Sequence, residues 1–242
     1  MRALLLTALL ALTLPVCGQD KSQSRQMIGK VGARSALLVL HATARADGSW
    51  QVAGEYVLLP TLVRRFIEGE RSPELAVTVL KEGATPILFG RPGIGELRGT
   101  WRDSTFKGTR YGPGGQRRED FEFSEDFPSM EAYSANVRCE AKEGRYQSKL
   151  NLSVREGRLM SFDWRSVEPG GQGCTVQSPT QVALRGGLQF VSGACRITLR
   201  DLGELAWLSA ENCVALCGAE GYLEPLLFDR RGNCELLRHG AR

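Results

Sequence analysis

The chain has 242 residues, 31 basic against 27 acidic side chains and a formal net charge of +4. That excess is mild and dispersed, most basic residues have acidic neighbours, and a nucleic-acid footprint is therefore excluded. Only two histidines occur, at the distant positions His41 and His239, which leaves little material for a His-based triad or a zinc site.

The N-terminus opens with a basic Arg2 and an apolar run, Ala3 to Leu14, ended by Pro15 and followed by a polar stretch from Gln19 to Gln26. This is the order of a secretory signal peptide over residues 1–18, and the run is too short to span a bilayer. Two cuts are open. Val16 and Gly18 suit ordinary cleavage before Gln19, whereas Leu14-Pro15-Val16-Cys17 resembles a degenerate lipobox that would leave Cys17 acylated. Either way six cysteines remain: Cys139, Cys174, Cys195, Cys213, Cys217 and Cys234. An even count behind a signal reads as three disulfides. The preference for short loops favours the pairs 139–174, 195–213 and 217–234.

All six lie in the second half, so the chain divides into 19–128, which must rely on its own core, and a stapled 129–242. The division falls near Glu125, Pro128 and Ser129. In the first half Ala36 to His41 is a short apolar run. After the Asp47-Gly48 turn, Trp50, Val52, Gly54 and Tyr56 recur with period two and face one side of a sheet. Pro60 closes that element, and Leu62 to Ile67 is a turn of helix or a short strand. Leu75-x-Val77-x-Val79, followed by Lys81-Glu82-Gly83, then Ile87 to Gly90, Leu97-x-Gly99-x-Trp101 and Phe121-x-Phe123 complete the set. In the second half Val137-x-Cys139, Tyr146 to Val154, Leu159 to Trp164, Val182-x-Leu184, Leu188-x-Phe190, Cys195 to Leu199 and Ala206 to Leu208 read as strands. Short strands at this spacing predict a mainly β fold, with antiparallel sandwich or barrel-like halves.

Three groups of residues resemble a layout found in uncharacterised bacterial periplasmic β proteins and lipoproteins. They are Gly48-x-Trp50-x-Val52-x-Gly54-x-Tyr56, Leu75-x-Val77-x-Val79-x2-Glu82 and Gly99-Thr100-Trp101. Cys195 to Leu199 with Cys213-x3-Cys217-Gly218 is similar to the end of small periplasmic proteins. Some comparable proteins inhibit lysozymes or protect cells from wall-degrading toxins. The resemblance implies a β fold, a periplasmic or secreted location and a protein partner in the cell envelope, such as a peptidoglycan hydrolase.

The search for catalytic chemistry finds no Gly-x-Ser-x-Gly elbow, His-Glu-x2-His helix or phosphate loop. No cofactor or metal is expected. His41, at the end of a strand, reads as a structural histidine. The acidic group Glu119, Asp120, Glu122, Glu125 and Asp126 reads as a solvated face. Arg64-Arg65, Arg117-Arg118 and Arg230-Arg231 read as solvated turns or strand ends. The stretch Lys107 to Arg118 carries four glycines and no apolar period, so it predicts a long exposed loop. Arg110, Tyr111, Arg117 and Arg118 in it are the candidate partner-binding residues, since Tyr and Arg contribute most at interface centres. The expected function is a non-enzymatic envelope binding protein, of the inhibitor or immunity type. The alternatives are a structural envelope lipoprotein and a small-molecule carrier using a barrel interior, with any membrane contact made through a lipid on Cys17.

Overall fold

The computed structural model describes residues 22–72, 77–85, 93–167, 173–218 and 222–237. The signal segment, Cys17, Leu75, the Ile87 to Gly90 strand and His239 lie outside them.

The first half is a closed antiparallel barrel of eight strands in sequence order. They are β1 (Ser22–Val31), β2 (Arg34–Ala44), β3 (Trp50–Leu58), β4 (Val63–Arg71), β5 (Thr78–Gly83), β6 (Gly95–Arg102), β7 (Thr105–Tyr111) and β8 (Arg117–Ser124). Closure comes from β1 pairing with β8, Ile28 opposite Ser124 through Val31 opposite Phe121, so the sheet has no free edge. Val63 to Ile67 belongs to a strand, and the turn before it holds Leu62 and carries a cis Leu59-Pro60 bond.

Side-chain alternation divides lumen from exterior. Met27, Leu38, Leu40, Val52, Tyr56, Ile67, Leu80, Leu97, Phe106, Phe121 and Phe123 form one buried cluster. The lumen is full. A Cβ built on Gly99 would come within 2.7 Å of the rings of both Phe106 and Phe121. The expected face of Trp50, Val52, Gly54 and Tyr56 is this lumenal one. On β5 the alternation runs the other way from the expected one. Thr78, Leu80 and Glu82 point inward and are buried, while Val77 and Val79 are 45% and 40% exposed. Two valines outside a barrel satisfy β propensity as well as two inside, so propensity does not reveal which face is wet.

Residues 125–134 connect the barrel to the second half. A four-stranded sheet follows, with β9 (Ala135–Glu143), β10 (Tyr146–Arg155), β11 (Arg158–Val167) and β12 (Gly173–Gln177). A six-stranded sheet contains β13 (Thr180–Leu184), β14 (Gly187–Ser192), β15 (Cys195–Asp201), β16 (Leu205–Glu211), β17 (Leu226–Asp229) and β18 (Cys234–Leu236). One helical turn, α1 (Val214–Cys217), lies between β16 and β17. The two sheets bury a common core in which Val137, Leu150, Phe162 and Trp164 of the first share a cluster with Phe190, Ile197, Leu208 and Phe228 of the second. This is a β-sandwich.

The other face of the six-stranded sheet is also buried. Trp207, Leu227 and Leu237 pack against Leu37, Val39 and Val57 on the outside of the barrel, with Phe127 of the connector. Gln26 of β1 reaches Ser209 of β16 at 3.5 Å, and the Arg64 guanidinium donates to the Leu236 carbonyl at 2.6 Å. Barrel and sandwich thus share a third core.

Three disulfides staple the sandwich: Cys139–Cys234, Cys174–Cys217 and Cys195–Cys213. The 195–213 pair is as expected; the pairs 139–174 and 217–234 are corrected. Cys139 on β9 and Cys174 on β12 occupy opposite edges of one sheet. Three strand spacings, roughly 14 Å, separate those edges, more than the roughly 7 Å that a bridge allows. Cys139 instead meets β18, and Cys174 meets α1. Three disulfides place the chain in an oxidising compartment. Among the described residues no helix is long and apolar enough to cross a membrane.

Candidate functional site

The stretch expected to be one long loop is mostly ladder. Lys107 to Tyr111 continues β7, Pro113–Gly115 forms a single 3-10 turn, and Arg117 opens β8. The apolar period is missing because the inward positions after Phe106 are Gly108 and Arg110. At Gly108 a Cβ would meet the Arg98 carbonyl at 1.9 Å, so the strand needs a glycine there. The reversal itself is short, and Gly114 and Gly115 both take φ of 79°, a region that side-chain-bearing residues enter at a cost.

The four candidate residues separate accordingly. Arg110 points into the barrel end. It donates from Nε to Glu82 Oε2 at 2.7 Å and from Nη2 to Glu82 Oε1 at 2.8 Å, while Nη1 donates to Glu119 at 3.0 Å. Tyr111 faces out, half-buried, with the Arg98 guanidinium 4.7 Å from its ring centre. Arg117 is exposed and forks onto both oxygens of Asp120 at 2.8 and 2.9 Å. That contact, with the Thr109 hydroxyl second, holds the Asp120 carboxyl below the usual carboxylate range. Arg118 is exposed, folds its guanidinium over Gly112, and makes no ion pair among the described residues.

The residue that sequence reasoning missed is Glu82, whose side chain is fully buried at this barrel end. Besides Arg110 it has Arg65 at 3.4 Å and the Tyr56 hydroxyl in hydrogen-bonding contact. Arg34 joins through Glu119 at 2.8 Å. Burial and then the Glu82 charge push the Tyr56 phenol upward, and the hydrogen bond to Glu82 raises Arg110. The network ties β2, β3, β4, β5, β7 and β8 and fixes the root of the hairpin that carries Tyr111, Arg117 and Arg118. Its signal in the sequence is Thr78-x-Leu80-x-Glu82: a period-two strand ending in an inward carboxylate demands an inward cation across the barrel.

Of the remaining acidic candidates, Glu122 is exposed on β8 and the other two are paired. Glu125 meets Arg25 at 3.5 Å, and Asp126 meets Arg185 at 3.8 Å. Among the described residues no group of three or more His, Cys, Asp and Glu is placed to hold a metal ion. The outer face of β9 to β11 forms a shallow concavity of about 410 Å³ lined by Arg138, Glu140, Lys149, Asn151, Asp163 and Arg165, largely through their side-chain stems. Apart from Arg138, its charges occur in pairs. Glu140 contacts Lys142 at 2.8 Å and Lys149 at 3.2 Å, and those two ammonium groups bring its carboxyl down to about 2. Arg165 pairs with Asp163 at 2.8 Å.

No protein family, curated protein or solved structure matches this chain.

Proposed function

We propose that this chain is an exported, non-catalytic binding protein of the cell envelope that engages a protein partner through the β7–β8 hairpin. The observation that carries the reading is the hairpin end itself. Its root is locked by the buried Glu82–Arg110 pair, and its outer surface offers an exposed Arg118 beside Tyr111 and Arg117. A rigid root lowers the ordering cost of binding, and Arg with Tyr supplies a donor fork and an amphipathic ring. The filled lumen supports a scaffold role over a carrier role.

The partner class that fits best is a lysozyme-like wall hydrolase. Such enzymes work with paired carboxylates, so their clefts are locally acidic. An inserted Arg118 would occupy a catalytic carboxylate through charge-assisted hydrogen bonds and block proton transfer. The signal-like N-terminus supports delivery to the periplasm or secretion. Acylation of Cys17 would then hold the protein at the outer membrane.

The test is affinity capture from envelope extract with the mature protein and with a Tyr111→Ala/Arg117→Ala/Arg118→Ala variant. Arg110 is left intact because its loss would loosen the barrel. The expected result is capture of a hydrolase by the wild type, with binding weakened by about 2–5 kcal/mol in the variant if Arg118 is buried at the centre. The variant itself should lose no more than about 0.5 kcal/mol of stability. Unchanged affinity removes the hairpin from the interface, and a retained envelope protein that is not a hydrolase favours the structural-lipoprotein alternative. Replacing Cys17 with Ser should release any membrane-bound fraction to the soluble fraction.

A further inference from the structure

The end of the barrel opposite the hairpin is built differently. Five strands there surround a recess of about 20 Å³ lined by Arg25, Arg71, Trp50 and Trp101, with Leu40 and Val52 among its apolar walls. Trp101 stacks on Phe106 with ring centres 4.4 Å apart. Both guanidiniums approach its ring, each 5.3 Å from the centre. Arg25 is partly compensated by Glu125 at 3.5 Å. Arg71 has no carboxylate partner among the described residues. The indole Nε1 of Trp101 is buried and has no hydrogen-bond partner among the described residues.

Two like charges beside one ring, in a partly desolvated mouth, repel each other and leave donors unused. Burial, and then the charge of Arg25, lower the affinity of Arg71 for its proton. An anion would relieve this, because an oxyanion accepts from both guanidiniums together. The size of the recess limits what enters. It suits about one water-sized group, so one oxygen of a terminal oxyanion enters, with the remainder of the molecule at the mouth and outside. We propose that this mouth is a binding site for a terminal oxyanion, a carboxylate or phosphate, seated between Arg25 and Arg71 against Trp101. The source is a free small molecule or a lipid head group, and the site is independent of the hairpin at the other end.

The experiment follows the four indole N–H signals by heteronuclear NMR while inorganic phosphate or acetate is added at low ionic strength, with chloride as control. In parallel, co-sedimentation is measured with vesicles containing phosphatidic acid, whose phosphate is terminal, and with vesicles of phosphatidylcholine alone. Trp50 and Trp101 should shift saturably, while Trp164 and Trp207, buried in the other cores, should stay still. Arg71→Gln should weaken the response at least about tenfold, Arg71→Lys should retain part of it, and Arg98→Gln at the hairpin end should not matter. Unmoved Trp164 and Trp207 signals show that each variant is folded. Saturation by phosphate or acetate identifies a free anion. Binding only to phosphatidic acid vesicles, lost in Arg71→Gln, identifies a lipid head group. Absence of any saturable response, or a response that Arg71→Gln leaves intact, overturns the site.

Discussion

Glu82 and Arg110 are twenty-eight positions apart and are tolerable inside a barrel only because each satisfies the other. Breaking a buried pair leaves one uncompensated charge, so Glu82→Gln should cost about 3 kcal/mol in urea denaturation. Joint replacement of Glu82 and Arg110 by leucine should recover part of that loss, because the stranded charge is removed. Recovery should be incomplete, since Arg65 and Glu119 also lose a partner. Tyrosine provides a pH test. Burial first, and then the Asp201 charge, push the Tyr133 phenol up to about 12. The native state thus favours its neutral form. Stability from this group is fully present below the unfolded value of 10.0 and is lost as pH rises through about 12. Spectrophotometric titration of Tyr133→Phe against wild type should therefore remove one late-ionising phenol and flatten the alkaline loss of stability. Glu140 has the opposite sign. Its depressed carboxyl contributes above 4.5 and stops contributing as pH falls through about 2, and its exposure makes that contribution sensitive to salt.

Secondary elements are organised by which neighbours they reach. Two of the disulfides, Cys139–Cys234 and Cys174–Cys217, follow sheet edges instead of loop length, and the contributions of all three should follow the loops they close in the unfolded chain. The bridges span 95, 43 and 18 positions. Chain-entropy arithmetic then ranks their removal at about 4.7, 4 and 3 kcal/mol respectively. Paired Cys→Ala variants compared by denaturant midpoint should reproduce that order, with Cys139/Cys234 the costliest. Proteolysis of unreduced protein should release a peptide containing Cys139 linked to one containing Cys234. The hairpin shows the same principle for the backbone. Gly108 and Arg110 occupy lumenal positions, so β7 is held by pairing with β6 and β8 despite having few apolar residues of its own.

Across the whole molecule, the six-stranded sheet serves two cores, one inside the sandwich and one against the barrel. Trp207 is the anchor of the second, 1% exposed and packed among barrel residues such as Leu37 and Val57. Truncation to alanine should cost about 3–5 kcal/mol. Because the lost contacts join the two halves, calorimetry of Trp207→Ala should resolve two transitions where the wild type shows one. Trp207→Phe should be milder. The indole Nε1 has no hydrogen-bond partner among the described residues to lose, and a ring remains to fill most of the space.

The sequence by itself determined the class of fold. Period-two side chains such as Trp50, Val52 and Tyr56 allow only a strand, Asp47-Gly48 allows only a turn, and clustering of the cysteines marks which half is stapled. These are local properties, carried by neighbours within a few positions. Tertiary structure alone decided that the first half closes by pairing β1 with β8, because closure depends on registers between residues nearly a hundred positions apart. It also decided that Cys139 meets Cys234, since strand order and not chain distance sets which thiols come within reach. Which end of the barrel would be held by Glu82 and Arg110, and which would gather Arg25, Arg71 and two tryptophans, was decided the same way. An isolated charge in a strand says nothing of its face until the opposite wall of the barrel supplies, or withholds, its partner.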